Sequence, residues 1–168
     1  MTRVAINGFG RIGRAFFKLA LEHPELKIVA VNDLTEPETL AYLLRYDTVY
    51  GRYEKEVEVS GGDLKVGGER VKILSEKDPA LLPWKELEVE VVVESTGRFT
   101  RSEDAEKHLK AGAKRVVITA PAEGKIPHPL IGANEDSFVE GLAPITSDAS
   151  CTTNAVVPVA AVMMEDPG

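Results

Sequence analysis

A single cysteine stands in 168 residues, which excludes an internal disulfide and leaves nothing that calls for an oxidising compartment. Positive charge is not in surplus either. With 27 Asp and Glu against 20 Lys and Arg, the formal net charge of -7 offers no general attraction to phosphate backbones or anionic lipid, which sets aside nucleic acid and membrane surfaces as partners. No apolar run approaches the roughly 20 residues that span a bilayer, and the N-terminus opens on an amphipathic pattern rather than a charged leader. The expected location is the cytoplasm. The three histidines are scattered, and the chain carries no metal-ligand cluster, no Ser-His-Asp arrangement and no Walker-type loop. What is present is 43% hydrophobic residues, sufficient at this length for the core of one compact domain.

The hydrophobic pattern alternates strand with helix. Arg3 to Asn7 reads as a strand, and Arg11 to Glu22 as a helix with Ile12, Phe16, Leu19 and Ala20 on its apolar face. Lys27 to Asn32 is a second strand; Thr35 and Glu38 have capping-box spacing, and Pro37 suits the first turn of a helix through Leu40, Leu43 and Leu44. From Tyr50 to Leu74 short alternating runs are separated by Gly61-Gly62 and Gly67-Gly68, the mark of an antiparallel hairpin excursion. Val89 to Glu94 returns to a buried parallel strand, followed by a helix with Glu103 and Asp104 early, Lys107 and Lys110 late and Gly112 as its cap. Arg115 to Thr119 is a further strand, and Leu130-Ile131 and Ile145-Thr146 are shorter candidates. The pattern predicts a Rossmann-type α/β fold, a doubly wound and mainly parallel sheet with that hairpin excursion.

The last helix, beginning near Cys151, has no polar face from Ala155 to Met164. Such a surface has to be covered. A second domain or another subunit is the expected cover; the alternative is a helix wholly enclosed by this domain. The expected division is a dinucleotide-binding domain over residues 1–150 and, over 151–168, the start of a helix leading to a catalytic domain outside this chain.

Gly8-Phe9-Gly10-Arg11-Ile12-Gly13 fits G-x-G-x-x-G between a strand and a helix. Gly8 makes the tight turn, Gly10 admits a pyrophosphate to the backbone, Gly13 lets helix and strand approach, and the helix N-terminus supplies free amides. Asp33 follows about 20 residues beyond Gly13, where an acidic residue accepts hydrogen bonds from a ribose. Its charge repels a 2′-phosphate, and Leu34-Thr35 supply no arginine to offset it, so the expected cofactor is NAD rather than NADP.

Cys151 lies in Ala149-Ser150-Cys151-Thr152-Thr153-Asn154, with Ser150 able to cap the helix. A thiol in a first turn faces the positive end of the helix dipole, a setting that favours the thiolate nucleophile; a buried, inert cysteine is the other reading. No histidine stands out as its base. His23 and His108 read as solvated or capping groups near helix ends, and His128 sits between two prolines in a loop.

These blocks together resemble the N-terminal half of phosphorylating glyceraldehyde-3-phosphate dehydrogenase. The resemblance runs through Val4 to Arg14, Asn32 to Thr35, Tyr46 to Gly51, Glu94 to Gly97 with Phe99-Thr100, Ile118 to Ala122, and Ser150 to Asn154. It implies a glycolytic oxidoreductase in which Asn7, Gly8, Gly10, Arg11, Ile12 and Gly13 surround the NAD pyrophosphate. Asp33 would hold the ribose, Thr96, Gly97 and Phe99 the adenosine side, and Thr119 the nicotinamide side. Cys151 would be the acylated nucleophile, with Ser150 and Thr152 lining a substrate or phosphate site. The implied chemistry is addition of the thiolate to an aldehyde, hydride transfer from the thiohemiacetal, and cleavage of the thioester by phosphate. The implied partners are a small phosphorylated aldehyde, inorganic phosphate and further copies in a homo-oligomer.

Two positions depart from the family pattern: Asp148 stands where asparagine usually precedes Ala-Ser-Cys, and Ala133 replaces the valine of Gly-Val-Asn. The family's histidine base lies beyond the cysteine and has no counterpart in the short stretch after Cys151, so the expectation is cofactor binding without turnover by this chain alone. A non-catalytic dinucleotide-binding module and a fragment of an erythrose-4-phosphate dehydrogenase are the competing readings.

Overall fold

The structure is a computed structural model that describes residues 1–138 and 141–165. Its strands are β1 (Thr2–Asn7), β2 (Leu26–Asn32), β3 (Tyr46–Asp47), β4 (Gly51–Arg52), β5 (Val57–Ser60), β6 (Asp63–Val66), β7 (Glu69–Leu74), β8 (Val91–Glu94), β9 (Arg115–Ile118) and β10 (Ile145–Ser147). Four α-helices accompany them: α1 (Arg11–Ala20), α2 (Pro37–Arg45), α3 (Ser102–Lys110) and α4 (Cys151–Glu165).

The main sheet has eight strands in the order β10-β9-β8-β1-β2-β7-β6-β5. The six from β10 to β7 run parallel, and β6 and β5 are added antiparallel by two hairpins that turn at Gly61-Gly62 and Gly67-Gly68. The excursion therefore re-enters the parallel sheet: its last strand, β7, pairs with β2. Because strand side chains alternate between faces, Val4 and Ile6 pack with Phe17, Ala20, Leu40 and Leu44 of α1 and α2, while Ala5 joins Trp84 and Val92 on the opposite face. Ala105 of α3 packs with Val116 and Ile118 of β9. Helices thus cover both faces of the sheet, the doubly wound arrangement of a Rossmann fold.

Some local expectations are corrected. In α1 the buried residues are Gly13, Phe17 and Ala20, whereas Ile12 and Leu19 are exposed. Glycine at position 13 draws this side of the helix down onto β1, and the apolar face rotates to follow it. No capping box forms at α2: the cap position is Glu36, no side chain caps it, and the Thr35 amide donates to Asp33 Oδ1 instead. Leu130-Ile131 forms no strand: Leu130 is buried in irregular chain, and Ile131 opens a turn with 90% of its surface exposed. Among the described residues no helix is long and apolar enough to cross a membrane.

Helix α4 starts at Cys151 as expected, and none of its residues is buried. Val156, Val159, Val162, Met163 and Met164 are all more than half exposed. The described part of the domain does not enclose it; residues 166–168 of the expected leading segment lie outside the described residues.

Candidate functional site

A cleft of about 470 Å³ opens at the carboxyl ends of the parallel strands, within the size range of small-molecule sites. Strand β1 contributes Asn7 followed by Gly8, β2 contributes Asn32 followed by Asp33 and Leu34, and the segment after β8 contributes Ser95, Thr96, Arg98 and Phe99. Glu76 and Lys77, beyond β7, form the remaining wall. The chain leaves β1 toward β2 on one side and reaches β8 on the other, so the cleft lies where the strand order reverses, the place where open parallel sheets bind ligands.

The turn between β1 and α1 is held by its glycines. Gly8 has φ +91°, and a Cβ there would lie 2.6 Å from the Thr96 amide nitrogen. A Cβ on Gly13 would lie 2.2 Å from the Gly8 carbonyl oxygen. Gly10 differs, with nothing within 4 Å of its would-be Cβ: the space beside it is open, and it lines the cleft. Gly10 is also the N-cap of α1, and no side chain caps the helix. The first-turn amides are thus left without a side-chain acceptor, which is how a helix start presents itself to an anion. Phe9 anchors the turn from below, its ring edge-on to Phe17 at 5.3 Å, while its amide donates to Asp33 Oδ2 at 2.7 Å.

Of the residues expected to hold the cofactor, the cleft brings together Asn7, Gly8, Gly10, Asp33, Thr96 and Phe99. Gly13 lies beneath it as packing. Arg11, Ile12 and Gly97 are exposed beside it without lining it. Thr119 sits at the end of β9, where its amide and hydroxyl both donate to the Glu94 carbonyl. Sequence reasoning missed the roles of Asn32, Glu76, Lys77 and Arg98. Lys77 and Arg98 matter most, because they place two cations on the cleft that holds Asp33, so Asp33 is not the only charge a 2′-phosphate would meet.

His108 is also corrected. It is not a solvated or capping group but fully buried, with both ring nitrogens engaged: Trp84 Nε1 donates to Nδ1 at 2.9 Å, and Nε2 lies 3.0 Å from Glu94 Oε2. It is therefore unavailable to Cys151. His23 is exposed and 3.0 Å from Glu25, as a solvated histidine would be.

At the far end of the same sheet edge, β10 runs into Asp148-Ala149-Ser150 and then α4. Ala149 is buried at φ +56°, a left-handed conformation that costs a non-glycine residue energy. This bend sets the direction in which α4 leaves the sheet. Ser150 caps the helix, its Oγ accepting from the Thr153 amide at 3.0 Å, and Asn154 Nδ2 donates to the Ser150 carbonyl at 3.0 Å. Cys151 is exposed in the first turn with its Sγ 4.0 Å from Thr152 Oγ1. Desolvation by the surrounding chain raises the pKa of the Asp148 carboxyl above the ordinary aspartate value, although the residue as a whole stays exposed.

The profile of the family described as "Glyceraldehyde 3-phosphate dehydrogenase, NAD binding domain" matches residues 2–102. The chain belongs to this family. It is 51% identical over 166 residues to glyceraldehyde-3-phosphate dehydrogenase of Geobacillus stearothermophilus, an alignment covering 99% of this chain and 50% of that protein. Against the enzyme of the same name from Kitasatospora aureofaciens it is 52% identical over 164 residues, 97% of this chain and 49% of the other. The Thermotoga maritima protein of that name is 49% identical over 167 residues, 98% and 50% of the two chains. The chain spans about half the length of the curated relatives it matches. It is an NAD-binding Rossmann domain of the glyceraldehyde-3-phosphate dehydrogenase type.

Proposed function

We propose that the cleft beside the glycine turn holds NAD and that this domain serves an enzyme that oxidises a small phosphorylated aldehyde through Cys151. The observation that carries the proposal is the pairing, in one cleft, of an uncapped helix start with a carboxylate: α1 has no side-chain cap, and Asp33 sits across the turn from it. The first-turn amides of Arg11 and Ile12 would face the pyrophosphate, and the open space beside Gly10 admits its approach. Asp33 would accept from a ribose hydroxyl, with Thr96 and Phe99 on the adenosine side and Thr119 toward the nicotinamide. When bound, NAD supplies a hydride acceptor.

Exposure of Cys151 at a capped helix start supports an enzyme over a purely structural module. In this reading its thiolate attacks the aldehyde carbon, while Ser150 and Thr152 offer hydroxyls to the substrate or to phosphate. Residues 1–150 form the cofactor domain, and α4 enters a catalytic domain that also supplies the base.

Calorimetric titration with NAD and NADP tests the cofactor site; tighter binding of NAD is expected. Replacing Asp33 with serine removes a charge whose repulsion at about 4 Å is worth roughly 1 to 4 kcal/mol, so the NAD preference should narrow about fivefold or more. Equal affinities in the unsubstituted chain would refute the assignment. With glyceraldehyde 3-phosphate, erythrose 4-phosphate or neither as substrate, NAD reduction by this chain alone should stay at background. Turnover at an ordinary enzymatic rate would show that it holds its own base.

A further inference from the structure

The last residues of three adjacent parallel strands are polar and buried: Glu94 of β8, Asn7 of β1 and Asn32 of β2. They lie side by side in register, Asn7 opposite both Glu94 and Asn32. Asn32 Nδ2 donates to Asn7 Oδ1 at 2.7 Å, and Asn7 Nδ2 donates to Glu94 Oε2 at 2.5 Å. At one end Asn32 exchanges two bonds with the Glu76 backbone, donating to its carbonyl and accepting from its amide, both at 2.8 Å. At the other end Glu94 Oε1 accepts from the Thr96 amide at 2.8 Å and from its hydroxyl at 2.5 Å. One line of hydrogen bonds therefore passes beneath the cleft and joins its Glu76–Lys77 wall to its Thr96–Phe99 wall.

His108 and Trp84 stand behind this line. An indole N–H can only donate, so His108 Nδ1 must accept and the ring proton must sit on Nε2, from which it donates to Glu94 Oε2. With the opposite tautomer, two donors would meet at Trp84 and two acceptors at Glu94. Asn7 Nδ2 lies 3.4 Å from the same Nε2, two donors converging on one carboxylate oxygen. Four donors thus occupy the two oxygens of a carboxylate that water does not reach.

We propose that Trp84 and His108 are positioning residues for the dinucleotide: by locking the imidazole as its Nε2–H tautomer they hold Glu94, and through Glu94, Asn7 and Asn32 they hold the two walls of the cleft at the spacing that NAD requires. Neither residue lines the cleft. This inference rests on the cleft being the NAD site.

The test uses His108→Gln and His108→Phe, NAD calorimetry and nitrogen-15 NMR of the imidazole. Glutamine keeps an acceptor and a donor on one planar group, so it should leave the dissociation constant within about threefold of the unsubstituted value. Phenylalanine fills the space without either and should weaken NAD about tenfold or more, as should Trp84→Phe. In the unsubstituted chain, NMR should find the proton on Nε2. This measurement stands even if the phenylalanine variants fail to fold. A proton on Nδ1 in the unsubstituted chain, or NAD affinity unchanged in folded His108→Phe, overturns the proposal. Absence of NAD binding by the unsubstituted chain, with the Nε2–H tautomer present, overturns instead the assignment of the cleft.

Discussion

The three glycines of the turn have different jobs, and single methyl groups separate them. Gly13→Ala forces a Cβ against the Gly8 carbonyl, so helix and strand must part; overpacking of this kind costs about 1–3 kcal/mol. Both thermal stability and NAD binding should fall. Gly10→Ala meets nothing within 4 Å, so its melting temperature should stay within about 2 °C, the scale of a surface substitution in a chain of this size, while NAD affinity drops because the methyl group occupies the approach of the phosphates. Calorimetry with a melting curve on each variant separates the two roles, and a Gly10→Ala chain that binds NAD normally would remove the pyrophosphate from this position. Asp148 makes a second residue-level prediction. Desolvation penalises its charged form, so the folded chain binds that proton more tightly than the unfolded chain does. The penalty is absent below the ordinary aspartate range and complete once pH has risen past the elevated value. Asp148→Asn should therefore raise the melting temperature slightly, by about 1 °C, at pH 7, and the gain should vanish near pH 3. A gain that persists at pH 3 would assign the effect to something other than the carboxylate.

Among the elements, α4 is the one whose energetics are incomplete. A valine, leucine or methionine side chain gains roughly 1.5–3 kcal/mol when it is fully buried, and α4 shows Val156, Val159, Val162, Met163 and Met164 at more than half exposure. An apolar surface of this kind drives association. The isolated chain should self-associate reversibly, and the double substitution Val159→Glu with Val162→Glu should return it to monomer in sedimentation velocity while leaving NAD affinity unchanged. A chain that stays monomeric at high concentration would show that α4 is satisfied in some other way. The hairpin excursion is the contrasting case, with Val57, Leu64, Val66 and Val71 all buried against α2 and its neighbours, so its cost is met within the domain.

For the molecule as a whole, charge and exposed apolar area act together. At neutral pH the net charge of -7 opposes the association that α4 promotes; near the isoelectric point of about 5.1 that repulsion is gone. Solubility measured by light scattering should pass through a minimum near pH 5, and the Val159→Glu, Val162→Glu chain should show a shallower one. An unchanged minimum in the variant would dissociate precipitation from α4.

The sequence by itself determined the order of the main-sheet strands and the four helices, though not the small β3–β4 pair and with one strand too many at Leu130-Ile131; it also determined the parallel core with its antiparallel hairpins, the glycine turn with Asp33, and the start of α4 at Cys151. Each of these is local: a period of two or 3.6 residues, a Gly-Gly turn, a cap, a spacing of some twenty positions. Only the tertiary structure decided which polar residues meet. Asn7, Asn32 and Glu94 are far apart in the chain and become neighbours because β8, β1 and β2 are adjacent in register. Trp84 and His108 meet 24 positions apart through side chains no periodicity orients. The sign of this network was present as a polar residue closing each of three apolar strands, but its meaning needed the strand order. Lys77 reaches the cleft only because β7 returns to the sheet beside β2, and the rotation of α1 followed from how closely Gly13 lets the helix approach. Short-range chemistry is written along the chain, whereas contacts set by sheet register and close packing arise from the assembled core.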